Sequence, residues 1–464
     1  MSATRLRRPG VSPPAPIRKE RTVRGPTRAR GTRVRAARAA AVAISLVLVT
    51  AGCGGGSGEA APTGDGRSSS ATAAVDDGTT LTMWTRAGTE ALSRAYVDAY
   101  NATHRNQVRL TGYPNEEYPA KLASAAGARA LPDLFAADVV FAPQYAAEGL
   151  WQDLTDRLAT TGLADRLAPG HVRAGTWEGR GYAVPHVIDL SVMFYDRKLF
   201  TRAGLDPDKP PVSLGEFAEA ARAVGRLGGG VHGTYFGGNC GGCVEFTFWP
   251  SVWASGGTVL APDGRSSTIA SRQMADVFSL YRALYQEGVA APASKDEAGP
   301  TWLAALKGGK VGIAPGPSAW LDLIEKAGVD VGVAAIPGLD GGESTFVGGD
   351  AVGIGATSAH AAQAWDFVAW TLSDAAQVEV VAKGKGVPVR TDLAVNAYSS
   401  ADPRLVTINT IAAKGQTPYA RNFNASFNDP QSPWLRAVRG ALFGDAPAAL
   451  AEGDAAITAS LRQQ

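Results

Sequence analysis

Short runs of β-strand character alternate along residues 79–464 with windows whose apolar residues recur every three or four positions. Residues 79–84 form the first predicted strand, and Thr89 is the predicted N-cap of a helix with an apolar face made of Leu92, Ala95, Tyr96, Ala99 and Tyr100. Further predicted strands cover 107–111, 131–137, 310–314 and 330–336, and further helices begin after Ser213 and Ser271. The alternation predicts an α/β protein with a mainly parallel sheet.

The amino-terminal part of the chain does not follow this pattern. Residues 39–51 are an uncharged, largely apolar run behind a basic leader. The run is too short for a bilayer, which needs about 20 residues, and is typical of a signal peptide. We predict a signal peptide with a long basic leader over 1–52. The small and polar residues of 53–78 predict a flexible tether.

The four residues Thr50-Ala-Gly-Cys53 resemble a bacterial lipobox. This resemblance implies a lipid on Cys53 and an extracytoplasmic protein that is anchored to the cell membrane by that lipid only. An ordinary buried cysteine is the alternative.

Charge is distributed unevenly along the chain. The net charge is +2, but residues 1–38 carry eleven arginines, Lys19 and one acid, Glu20, so the remainder is acidic. No cluster of Lys and Arg recurs after Arg38, which argues against a nucleic-acid partner. With 45% hydrophobic and 19% charged residues, the composition also excludes a coiled coil and a mostly disordered chain.

Cys240 and Cys243 form a C-x-x-C sequence with two glycines between them. Behind a signal peptide this spacing favours a local disulfide. Zinc would need two more ligands, and only His232 is near, so we predict no metal and no cofactor. A redox-active pair would need a helix N-terminus, whereas the surrounding glycines predict a loop.

Several segments occur in an order that resembles one family. They are residues 80–84, 131–135 (LPDLF), 145–154, 181–185 (GYAVP), 190–200, 249–257, 314–320 and 346–354 (FVGGDAVGI). Together they resemble the extracellular solute-binding proteins of bacterial ABC importers, in particular the sugar-type branch (family 1).

The resemblance implies a two-lobed periplasmic-binding-protein-like fold with discontinuous lobes. Lobe 1 would comprise 79–187 plus 345–388, and lobe 2 would comprise 188–344 plus 389–464. The hinge crossings would lie near 186–189, 337–347 and 383–390, with the ligand between the lobes. The expected protein is a monomer and not an enzyme, and it delivers a sugar or oligosaccharide to the membrane subunits of an ABC importer.

A neutral sugar presents hydroxyl groups and an apolar C–H face, so its site needs carboxylates or amides beside aromatic rings. The candidate ligand-binding residues are Trp84, Arg86, Glu117, Asp138, Asp189, Glu245, Phe246, Trp249, Ser318, Gly349, Asp350, Arg390 and Trp434. The resemblance implies a stacking role for Phe246 and for Trp434. Core packing is the alternative for the tryptophans, solvated surface for Glu117, and pairing with an intramolecular arginine for Asp189.

Three other functions stay open at this point. The same fold could bind a polyamine, an anion, iron or a peptide. A secreted glycoside hydrolase could use a carboxylate pair such as Asp138 and Asp189, although the sequence has no G-x-S-x-G, H-E-x-x-H or Walker A motif. A cell-surface adhesin would not need a hinge.

Overall fold

The computed structural model describes residues 73–115 and 117–463. The predicted signal peptide, Cys53 and most of the predicted tether lie outside the described residues.

The strands are β1 (Thr80–Arg86), β2 (Gln107–Tyr113), β3 (Leu134–Asp138), β4 (Thr176–Trp177), β5 (Arg180–Gly181), β6 (Val184–Asp196), β7 (Ile313–Pro317), β8 (Val331–Ala334), β9 (Ile336–Pro337), β10 (Glu343–Ser344) and β11 (Val347–Ile354).

The α-helices are α1 (Glu90–Asn101), α2 (Tyr118–Gly127), α3 (Ala142–Ala147), α4 (Thr155–Thr161), α5 (Pro169–Ala174), α6 (Arg197–Arg202), α7 (Leu214–Gly225), α8 (Gly241–Ala254), α9 (Arg272–Gln286), α10 (Trp302–Lys307), α11 (Leu321–Lys326), α12 (Ala361–Thr371), α13 (Pro403–Ile411), α14 (Pro433–Phe443) and α15 (Ala446–Leu461). Two π-helical segments cover Ala375–Ala382 and Asn424–Asn428.

The main sheet has seven strands in the order β2-β1-β3-β11-β6-β7, with β8 also paired to β6. β1 is parallel to β2 and β3, whereas β11 and β6 pair antiparallel with their neighbours. The sheet is therefore mixed, and the expectation of a mainly parallel sheet is wrong. The reason is that β6 and β11 return through the middle of the sheet, which a period-based reading of single strands does not reveal.

β6 is the strand that joins the two halves of the sheet. Its residues up to Leu190 pair with β11, and its residues from Ser191 onward pair with β7 and β8. We call β1, β2, β3, β11 and the start of β6 the first half, and β7, β8 and the end of β6 the second half. Phe346 lies beside this junction, because its carbonyl accepts a hydrogen bond from the Ser191 N–H at 3.1 Å.

Local sequence signals place several helix starts correctly. The Ser213 hydroxyl accepts a hydrogen bond from the Glu216 N–H, and the Ser271 hydroxyl accepts one from the Met274 N–H, both at 3.2 Å. Thr89 precedes α1 as expected, but its side chain makes no capping bond. Its hydroxyl binds Asp350 instead, 261 residues further along the chain.

The C-x-x-C segment is the largest local departure from expectation. Cys240 and Cys243 form the predicted disulfide, but Gly241 and Gly242 lie in the first turn of α8 rather than in a loop. Glycine is a poor helix former, yet a side chain on Gly241 would collide with the Phe427 carbonyl. Tertiary packing of the buried α8 therefore overrides the local preference.

None of the helices in the described ranges has the length and apolar character that a membrane crossing requires.

Candidate ligand-binding site

A cavity of about 730 Å³ lies where the two halves of the sheet meet. The ends of β1, β3 and β7, the middle of β6, the start of β11 and the start of α8 all contribute residues to its lining. The cavity brings together seven candidates from the sequence, namely Arg86, Asp138, Asp189, Glu245, Phe246, Ser318 and Gly349. Asp350 lies directly behind them and is fully buried.

The first wall of the cavity is built on an arginine and two aspartates. Asp138 of β3 and Asp350 of β11 are register partners on adjacent antiparallel strands. Arg86, at the end of β1, donates from Nε to Asp350 Oδ1 at 2.7 Å, and its Nη2 lies 3.4 Å from Asp138 Oδ2. Thr89 donates to the second oxygen of Asp350 at 2.5 Å. Both oxygens of Asp350 are therefore paired.

Burial raises the pKa of Asp138 above its ordinary value, and the nearby Arg86 guanidinium opposes that rise. The pKa of Arg86 is raised because Asp138 and Asp350 outweigh its own burial. The arginine thus remains charged and holds the first wall together.

Asp189 is the half-buried residue of β6, whose other twelve residues are buried. Its Oδ1 accepts hydrogen bonds from the Ser318 hydroxyl at 3.1 Å and from the Ala319 N–H at 3.2 Å. Ser318 also accepts a bond from the Leu190 N–H. The partner of Asp189 is therefore this turn after β7, and no arginine within the described residues forms an ion pair with it. Burial raises the pKa of Asp189.

The second wall is formed by α8 and α10. Glu245 of α8 is 2% exposed, and its Oε1 has no hydrogen-bond partner among the described residues. Burial raises the pKa of Glu245 well above its ordinary value, with a smaller contribution from the like charge of Asp138. Among the described residues, Trp302 Nε1 and Asn428 Oδ1 also lack a hydrogen-bond partner.

Aromatic rings complete the lining. Phe246 stacks on Phe346 with ring centroids 4.7 Å apart. Trp302 and Trp320 meet edge to face at 4.8 Å. Phe246, Trp302 and Trp320 all line the cavity together with the Cys240–Cys243 disulfide. The cavity therefore has the carboxyl groups and aromatic faces that a sugar site requires.

Two glycines let the backbone of β11 pass close to this site. Gly349 has φ of +108°, and a side chain there would collide with the Val187 carbonyl. A side chain at Gly348 would meet the Phe246 ring. The two glycines therefore allow β11 to lie close both to β6 and to the Phe246 ring of α8.

Two buried histidines support the first wall from behind. His171 Nε2 donates to the Gly348 carbonyl at 3.0 Å, and His186 Nε2 lies 3.0 Å from the Ser93 hydroxyl. Burial lowers the pKa of each histidine to about 4. Both are therefore neutral at physiological pH.

Five candidates from the sequence lie away from the cavity lining. Trp249 and Trp434 are fully buried and pack on each other with centroids 5.4 Å apart. Trp434 Nε1 donates to the Gly241 carbonyl at 3.3 Å, so it supports the start of α8 from the core. The structure therefore gives both tryptophans the core role, and the direct stacking expected of Trp434 is wrong for this arrangement.

Arg390, Glu117 and Trp84 are the other three. Arg390 is buried and pairs with Asp374 and Asp392, so its donors are used within the fold. Glu117 is exposed beside the start of α2. Trp84 is half-buried against the edge of Tyr113.

Sequence reasoning missed Trp302, Trp320 and Asn428. Trp320 lies only two residues after the candidate Ser318, so its place beside that residue was the available signal. Trp302 and Asn428 had no comparable signal, because they join the site only when α10 and the second π-helical segment pack near α8.

No group of three or more His, Cys, Asp or Glu residues suited to a metal ion occurs in residues 73–115 and 117–463.

Comparison with known proteins gives a consistent result. A family model described as bacterial extracellular solute-binding protein matches residues 95–407. The diacetylchitobiose binding protein DasA of Streptomyces coelicolor is 26% identical over 394 residues, which are 80% of this chain and 87% of that protein.

Two solved structures show the same fold. The cyclic alpha-maltosyl-1,6-maltose binding protein from Arthrobacter globiformis matches with a TM-score of 0.71 at 24% identity, over 83% of this chain and 100% of that one. The sugar-binding protein MalE from Xanthomonas citri matches with a TM-score of 0.72 at 17% identity, over 82% and 97% of the two chains. The predicted two-lobed periplasmic-binding-protein-like fold is therefore confirmed.

Proposed function

Because the chain belongs to the bacterial extracellular solute-binding proteins, we propose that it is an extracytoplasmic receptor that captures a sugar or oligosaccharide in the cavity and delivers it to an ABC importer. The observation that carries the proposal is the combination of Asp138, Asp189 and Glu245 with Phe246, Trp302 and Trp320 around one cavity. The relatives named above are binding proteins for carbohydrates, which supports this ligand class over the polyamine, anion and peptide alternatives.

The receptor works without chemistry on the solute. A ligand that contacts both walls binds the closed arrangement more tightly than the open one, and this difference in affinity drives closure. The closed receptor is then the form that the importer's membrane subunits recognise.

The test is a calorimetric and thermal-shift screen of the purified protein against mono- and oligosaccharides. We expect saturable binding of a carbohydrate and full recovery of that carbohydrate by mass spectrometry. Hydrolysis products would support the glycoside hydrolase instead. Binding of only non-carbohydrate solutes would contradict the proposal.

We also propose that a lipid on Cys53 anchors a monomeric receptor to the cell membrane. The support is the sequence of the leader and of Thr50-Ala-Gly-Cys53, together with the extracellular family. Mass spectrometry of the mature protein should find a diacylglyceryl group on Cys53, and Cys53→Ser should release the protein from membranes. A Cys53→Ser protein that stays membrane-bound would contradict the anchor.

A further inference from the structure

Glu245 is a buried acidic side chain of the cavity with an unsatisfied oxygen. It lines the cavity and is 2% exposed, and its Oε1 has no hydrogen-bond partner within the described residues. A buried carboxyl group without hydrogen bonds costs free energy that a folded protein normally avoids. A solute that donates hydrogen bonds to this group would offset that cost.

The charges around the cavity are not balanced. Arg86 and Lys385 are the cations in its described lining. Arg86 pairs with Asp350 and Asp138, and Lys385 pairs with Asp322 at 3.0 Å and with Glu325. Neither cation forms an ion pair with Glu245 or with Asp189 in the described part of the chain. Asp189 is held by the neutral donors of Ser318 and Ala319.

The acids come from different parts of the site. Asp138 lies at the end of β3 in the first half, Asp189 lies on β6 just before the junction, and Glu245 lies on α8. The aromatic rings of Phe246, Trp302 and Trp320 share the same cavity. A solute that carries a positive charge would gain from the carboxylates and also from the faces of these rings.

We propose that the solute is a carbohydrate bearing a protonated amine, such as an oligosaccharide of glucosamine, and that its ammonium group pairs with Glu245. This inference rests on the proposed function as a carbohydrate receptor and names the chemical class of its ligand. The ammonium group supplies three N–H donors, and Glu245 Oε1 has no hydrogen-bond partner within the described residues.

Binding then includes a proton release. Burial raises the pKa of Glu245, which favours the protonated carboxyl group in the empty receptor. Pairing with the ammonium group requires the carboxylate, so the Glu245 proton passes to the buffer while the amine keeps its own. The other ionisable groups around the cavity are Arg86 on β1, Asp138 on β3, Asp189 on β6, Asp350 on β11, Asp322 on α11 and Lys385 after the first π-helical segment.

The experiment compares chitobiose and chitotriose, which carry free amines, with diacetylchitobiose, which is neutral. Titration calorimetry of the full protein is performed below the pKa of the sugar amine, in two buffers with different ionisation enthalpies. We expect the free amine to bind about tenfold tighter or more, the scale of one added charge pair. We also expect proton release for the amine and none for the neutral sugar.

The outcomes separate the two proposals. Equal or tighter binding of a neutral carbohydrate, without proton release, would overturn the amine inference and leave the carbohydrate receptor standing. Failure of every carbohydrate in the screen would overturn both.

Glu245→Gln sharpens the result, because glutamine keeps the shape and cannot ionise. We expect this variant to lose the proton release and most of the preference for the amine over the neutral sugar. The control is Glu219→Gln on the exposed face of α7, which should behave as wild type. A Glu245→Gln protein with an undiminished amine preference would contradict the role of Glu245, and the wild-type proton count stands even if this variant fails to fold.

Discussion

On the side of the cavity built by β1, β3 and β11, the buried Asp350 has a donor for each of its oxygens, from Arg86 and from Thr89. On the side built by α8 and α10, Glu245 Oε1 and Trp302 Nε1 have no partner within the described chain. Satisfied buried charges hold a wall in one geometry, whereas unsatisfied polar groups need a partner from outside. The Asp350 carboxylate therefore builds the site, whereas Glu245 and Trp302 line the cavity with polar atoms that a ligand can satisfy.

The largest effect on stability is expected from Asp350→Ala in the first wall of the cavity. The change leaves the Arg86 guanidinium without its main partner, and breaking a buried pair costs about 3–5 kcal/mol in the free energy of unfolding. Chemical denaturation measures this loss. Glu245→Gln, on the other wall, should leave the unfolding free energy almost unchanged, so similar losses in the two variants would refute the distinction between the walls.

Acid should lower the stability of the protein through His171 and His186, which support the first wall. Their pKa is about 4 in the folded protein and 6.5 as the ordinary value. Their contribution to stability is therefore complete above pH 6.5 and is lost as the pH falls from 6.5 towards 4, because the unfolded state takes up protons first. This loss lowers the free energy of unfolding by up to about 3 kcal/mol for each buried histidine.

Urea unfolding at a series of pH values tests the effect, and His186→Gln should flatten part of the slope. A free energy of unfolding that is constant over this window would contradict it.

Several features were predictable because they depend on neighbours in sequence. The strand at the start of the domain and the helix starts at Ser213 and Ser271 follow from alternation and from side-chain caps only three residues apart. The order of the segments that resemble the family also predicted the fold class, which the structural neighbours confirm.

The rest of the site depends on distant packing. The helix start at Cys240 relies on Phe427 and Trp434, which lie almost two hundred residues away. For the same reason Trp434 resembles a ligand-stacking residue in sequence but packs in the core. Arg390 differs from these residues, because its partners Asp374 and Asp392 are near in sequence. Even so, its local sequence does not reveal whether they or a ligand will use its donors.

The aromatic side of the cavity gives the next prediction. Trp320→Ala should weaken carbohydrate binding by about 1–3 kcal/mol, since it removes an aromatic face from the lining. Calorimetry measures the change. In contrast, Trp434→Ala should lower stability while the folded fraction keeps its affinity, and the opposite pattern would return Trp434 to the ligand site.

The smallest effect is expected at Glu117, which is exposed and lies outside the cavity lining. Glu117→Ala should change both stability and affinity by no more than about 0.5 kcal/mol. Thermal unfolding and calorimetry on the same preparation check this. A clear loss of affinity would show that the first wall extends to the start of α2.

Asp189 lies one residue before Leu190, which is the last residue of β6 that pairs with β11. In a rigid-body rotation, the displacement of an atom grows with its distance from the axis. A rotation of the two halves about this junction would therefore leave the Asp189 carboxylate almost stationary. A solute could then dock first on this fixed point and keep the same contact throughout, while groups further from the axis arrive later.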